Sequence, residues 1–123
     1  MKFSDYQWHD AVIKNINIDR KNPGHNDVII FDIEWPEEKG SVRFVFEDVY
    51  WAEMKLNFGI IADESIFDAA ELNDDNQDVV NFYAKWNGFM DEVKLKTYKI
   101  ELNSTGGVIK IIAKSFRIEE YKD

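Results

Sequence analysis

The sequence predicts an α+β domain that is mainly antiparallel β: a curved sheet or half-open barrel of six or seven strands with one short helix at about 77–87. Three observations carry this. Apolar and polar residues alternate along most of the chain, the period of a half-buried strand. The breaks between the alternating runs are short and rich in glycine, proline and asparagine, as hairpin turns require. Only one segment switches to helical spacing, so there is no regular βα alternation from which to build a parallel sheet.

The elements follow in order. Residues 11–19 place Val12, Ile16 and Ile18 on one strand face, with Lys14 as the exception, and Pro23-Gly24 then turns the chain. Val28 to Trp35 is a second strand, with Ile29, Phe31, Ile33 and Trp35 on one face and Asp32 and Glu34 on the other. Pro36 to Gly40 closes a hairpin onto a third strand, Val42 to Trp51, with Val42, Phe44, Phe46 and Tyr50 on one side. The alternation blurs at Asp48-Val49, where a bulge is expected. Extended chain continues through Met54, Leu56 and Phe58 to Gly59.

Glu64 to Leu72 fits a strand, with Ile66, Ala70 and Leu72 alternating, although Ser65 and Asp68 at capping-box spacing would also open a helix. The acidic loop Asn73 to Asp78 leads into the helix, where Val79, Val80, Tyr83 and Trp86 recur at helical spacing and Gly88 supplies the stop. Tyr98, Ile100 and Leu102 form a last hairpin with Val108 to Ile118, turning at Asn103 to Gly107. In the return strand Ile109, Ile111 and Ala113 share one face, and Ile112, Phe116 and Ile118 are assigned to the other.

At 123 residues the chain is one domain, 1–123, long enough to bury roughly two-thirds of its unfolded surface. Nine Phe, five Tyr and four Trp exclude a disordered chain. The lack of cysteine excludes disulfides, thiolate metal sites and thiol nucleophiles. The opening Met1 to Tyr6 has no signal-peptide core, and no apolar run approaches the ~18–20 residues of a membrane span, so a cytoplasmic protein is expected. Asn103-Ser104-Thr105 matches a glycosylation sequon but carries little weight without a secretory signal.

Charge is distributed unevenly. From Leu56 to Ala84 there is no lysine or arginine, yet the stretch holds Asp63, Glu64, Asp68, Glu71, Asp74, Asp75 and Asp78. That segment carries −7 of the net −9. Such a balance argues against nucleic acid and against membrane surfaces, both of which call for basic residues. An acidic run is either a solvated face that keeps the protein dispersed or a docking surface for a basic partner. Ile66, Phe67 and Leu72, interleaved with the acids, are candidate apolar anchors for the second use.

No catalytic constellation emerges, and no enzymatic activity, cofactor or metal is expected. His9-Asp10 resembles the doublet of a metal-dependent phosphohydrolase superfamily, but only His25 remains to complete a site, so a structural role is favoured. A site of His9, His25 and Asp10 or Asp27 would need two loops to meet. A calcium loop framed from Asp74 places Val79 where glycine is required and Lys85 where a bidentate glutamate belongs. Paired carboxylates for a hydrolase are available by number alone, which discriminates nothing. Trp8, Trp35, Trp51 and Trp86 are read first as packing residues.

The opening Trp8-His9-Asp10-Ala11-Val12-Ile13, the run Phe44-x-Phe46-x-Asp48-Val49-Tyr50 and the strand Gly107-Val108-Ile109-Lys110-Ile111 resemble small bacterial β-rich families. Several of these are predicted immunity proteins of polymorphic toxin systems. The resemblance implies a cytoplasmic inhibitor that binds a cognate toxin stoichiometrically, and it transfers no binding residues. The expected function is therefore a non-enzymatic protein-binding module that docks a basic partner through residues 63–78. The alternatives are a small-ligand module with a pocket between sheet and helix, walled by Trp35 or Trp86, and a carboxylate-dependent hydrolase. A homodimer through an exposed strand edge is also compatible with the sequence, which does not locate that edge.

Overall fold

The computed structural model describes residues 2–103 and 106–120. Ser104 and Thr105 of the expected turn and sequon, and Met1 of the opening segment, lie outside the described residues. Among the described residues six strands form one antiparallel sheet: β1 (Val12–Asp19), β2 (Val28–Glu34), β3 (Ser41–Lys55), β4 (Glu64–Glu71), β5 (Lys96–Leu102) and β6 (Val108–Glu120). Among the described residues one α-helix, α1 (Gln77–Lys85), lies between β4 and β5. The strand order β1-β2-β3-β6-β5-β4 returns on itself as a barrel. The ring is uneven: β3 and β6 pair from Val42–Glu120 to Lys55–Val108, whereas β1 and β4 meet only at Val12–Ser65 and Ile13–Glu64.

The interior is filled by the inward face of each strand. Ile13, Ile29, Phe31, Ile33, Phe44, Phe46, Ile66, Ala69, Tyr98, Ile100, Ile109 and Ile111 all belong to one buried cluster. The segment before β1 closes one end. Phe3, in a short 3-10 turn, is fully buried, and its carbonyl accepts the Trp8 indole N–H at 2.7 Å. The Trp35 indole donates to the Gln7 carbonyl at 2.7 Å, and Glu71 donates its N–H to the Ser4 hydroxyl. These bonds place the plug at the β2–β3 hairpin and at the C-terminal end of β4. The 56–63 connection therefore lies at the other end, because it leaves the Lys55 end of β3 and enters the Glu64 end of β4.

Bulges reset the faces that simple alternation assigns. The β1 register slips between Ile13 and Asn15, so Lys14 is the extra residue. Ile13 and Ile16 both reach the core, and Val12 is not on their face. The expected bulge in β3 is present. Its register with β6 shifts between Val49 and Trp51, and Asp48 takes φ 52°. Val49 before it and Met54 beyond it pack on the core, and Tyr50, the extra residue, turns outward to meet Phe82 of the helix with ring centres 6.1 Å apart. In β4 the slip falls between Ile66 and Asp68, so Ala69 rather than Ala70 is the next core residue. In β6 Phe116 packs in the core, opposite Phe46, and does not share the outer face of Ile112.

The helix begins at Asn76, whose side-chain oxygen accepts the Val79 N–H at 3.0 Å. It ends at Lys85, two residues earlier than the spacing suggested, and Asn87 and Gly88 both take positive φ after it. Val79 and Phe82 pack on the outer wall of the barrel with Leu95, Ile112 and Trp51, forming a second, smaller core. The Tyr83 hydroxyl donates to the Val93 carbonyl and accepts the Leu95 N–H, which fastens the return loop.

The β2–β3 hairpin turns through Glu37 and Glu38 at φ 61° and 58°, the mirror-image turn that asparagine and glycine prefer. Placing Gly at Glu38 is expected to raise stability by about 1 kcal/mol, read as a higher melting temperature, because glycine takes left-handed φ without the penalty of a Cβ.

Candidate partner-binding surface

The seven acids of the base-free stretch do not form one cluster. The fold strings them from Asp63, just before β4, along β4, through the loop that follows it and into the first turn of α1. Three are neutralised by bases from other strands: Lys14 reaches Asp63 at 3.8 Å, Lys96 reaches Glu71 at 4.0 Å, and Lys110 reaches Asp78 at 3.0 Å. The last pair is the tightest and most enclosed, and it holds the start of the helix against β6. Glu64 is half-buried at the β1–β4 seam, opposite Ile13.

Asp68, Asp74 and Asp75 differ from these. All three are exposed, and none joins an ion pair among the described residues. Asp68 stands directly opposite Glu101 in the β4–β5 register, a like-charge pairing that costs stability. Lys99 lies 3.2 Å from Glu101, not beside Asp68. Asp74 and Asp75 precede the helix, where its dipole favours negative charge. The fold thus presents uncompensated acid at these three positions.

Of the three expected anchors, only Phe67 is available. Ile66 is fully buried, and Leu72 is half-buried, with its N–H donated to Thr97. Phe67 is 53% exposed because it follows the inward Ile66 on the strand; the bulge keeps Asp68 on the outer face beside it before Ala69 turns in. Its ring meets His9 edge-on at 5.8 Å.

The histidine doublet is engaged in the structure of this same region. His9 Nδ1 donates to the Phe67 carbonyl at 3.0 Å, and Nε2 lies 3.6 Å from Asp10. Asp10 sits at φ 68° and accepts from the Asn103 amide, which also reaches the Ser65 hydroxyl and the Ile66 carbonyl. Asn103 therefore ties the start of β1 to β4 where the barrel seam is shortest. His25 lies in the β1–β2 loop, with its N–H on the Asn22 carbonyl. Among the described residues no group of three metal-ligating side chains comes together.

The tryptophans divide between packing and surface. Trp8 and Trp35 serve the plugged end of the barrel, and Trp51 lies under the helix. Trp86 is 47% exposed and borders a cleft of about 260 Å³ with Tyr50, Trp51, Asn81, Phe82 and Lys85. Trp35 has no part in that cleft, which is smaller than the usual range for small-molecule sites. Among the described residues no helix is long and apolar enough to cross a membrane.

Sequence reasoning located the acidic stretch but not which of its members the fold neutralises. Their partners Lys14, Lys96 and Lys110 come from three other strands, and only the strand order reveals the pairings. No family model matches this chain, and no curated protein matches it.

Proposed function

We propose that this protein is a non-enzymatic binding module that docks a basic protein partner through the outer surface of β4 and the loop leading to α1. Asp68, Asp74 and Asp75 attract the partner, and Phe67 is the apolar contact beside them. The observation that supports this reading is the set of three exposed acids that the fold leaves without bases, one of them held against another carboxylate at a cost in stability. Long-range attraction of this kind raises association rates, while buried apolar groups hold the complex once formed. An immunity-like inhibitor of a basic toxin fits the description, in line with the resemblance noted in the sequence.

The test is charge reversal. A variant carrying Asp68→Lys, Asp74→Lys and Asp75→Lys should lose stoichiometric capture of a basic protein from native lysate at low salt while remaining folded, with a single cooperative melting transition. Asp78 is left intact, because reversing it would break its pair with Lys110 and confuse docking with folding. Capture that survives the triple reversal would rule the surface out.

A further inference from the structure

We propose that the exposed edge of β3 pairs with the same edge of a second copy, antiparallel, about a two-fold axis at Met54. Three observations converge on this edge. First, the register of β2 with β3 ends at the Val28–Glu47 pair, the Val49 N–H still bonds the Asp27 carbonyl, and beyond Trp51 the only strand partner of β3 among the described residues is β6, as far as Lys55–Val108. Ala52 is exposed even though its register partner Ile111 is fully buried, so this side of the sheet is open. An uncovered strand edge is a template for another chain.

Second, the strand stops short of its own sequence pattern. Alternation runs through Met54, Leu56 and Phe58 to Gly59, yet in the single chain the strand ends at Lys55. Phe58 is then 88% exposed, and Ile60 and Ile61 beyond it are 50% and 104% exposed. A neighbouring strand would extend β3 and cover these side chains.

Third, the edge is complementary to itself. With the axis at Met54, Glu53 faces the Lys55 of the second copy, and by symmetry this happens twice. By the same count Ala52 faces Leu56. Moving the axis one residue either way sets Glu53 against Glu53 or Lys55 against Lys55, so charge selects the register. Isologous pairing of this kind closes as a dimer and leaves no further edge to propagate. The occupant is thus a second copy, not an unrelated strand.

Sedimentation velocity on the full chain, loaded up to about 300 µM so that a small interface still associates, tests this directly. The parent should sediment as a dimer. Glu53→Lys alone and Lys55→Glu alone should each weaken the dimer about tenfold or more, because each converts two attractions into two repulsions. The double exchange should restore it. Phe58→Ser, at a side chain with almost no contacts to lose, should weaken the dimer and leave the far-ultraviolet spectrum unchanged. A parent that stays monomeric throughout, a dimer indifferent to the single exchanges, or a double exchange that fails to restore association would each overturn the proposal.

Discussion

Replacing Phe3 with alanine should cost about 3–5 kcal/mol, the range for emptying an aromatic site in a packed core. The ring has no exposed surface and meets Trp8, Phe44, Phe46, Tyr98 and Phe116 at centroid distances from 4.8 to 6.1 Å. It belongs to the plug and not to any strand, so its loss opens the end of the barrel to water as well as leaving a cavity. A domain of this size has only about 5–15 kcal/mol in hand. Urea denaturation should therefore show a large drop in midpoint for Phe3→Ala, with a smaller drop for Phe3→Leu, which refills part of the volume. A variant within about 1 kcal/mol of the parent would mean that the plug contributes little to stability.

The second large effect concerns Tyr98, whose hydroxyl is buried in the core with no hydrogen-bond partner among the described residues. Such a group loses its water on folding and gains nothing back, so Tyr98→Phe should stabilise the protein by about 1–3 kcal/mol. The same burial, aided by the negative charge of Glu71, pushes the Tyr98 phenol well above its ordinary value of 10.0. Above pH 10 the unfolded chain releases this proton while the folded chain keeps it. Stability then falls by about 1.4 kcal/mol per pH unit from this group alone, and below pH 10 the group contributes no slope. Stability curves measured from pH 9 to 11.5 should separate progressively above pH 10, with the phenylalanine variant falling less steeply. Parallel curves for the two proteins would show that the phenol titrates normally.

The strands with strict alternation were legible because a period of two leaves no ambiguity over faces. Ile29, Phe31 and Ile33 point inward as their spacing requires, and the Ile109, Ile111 and Ala113 face is likewise buried. The errors cluster at the bulges, and the reason is geometric. One extra residue at Lys14 or Phe67 inverts every later assignment in that strand, and only the register with its neighbour reveals it. Asp48-Val49 was visible because the apolar pattern itself broke there; at Phe67 an apolar residue is the extra one, so the pattern did not break.

The candidate surface was legible only in part. Composition exposes the base-free stretch, but whether an acid is neutralised depends on cross-barrel neighbours. Asp78 and Lys110 are far apart in the chain and 3.0 Å apart in space. Ala69 and Ala70 are the same residue type, yet only Ala69 is core, a distinction set by a single bulge.

The most direct measurement is the association rate of the parent and the Asp68, Asp74 and Asp75 reversal variant with the basic protein captured at stoichiometry, followed from about 20 to 500 mM salt. At low salt the parent should associate at least about tenfold faster than the variant, with the two rates converging as salt screens the attraction. Equal rates at low salt would contradict the account and return the acids of β4 and its loop to the role of a solvated face.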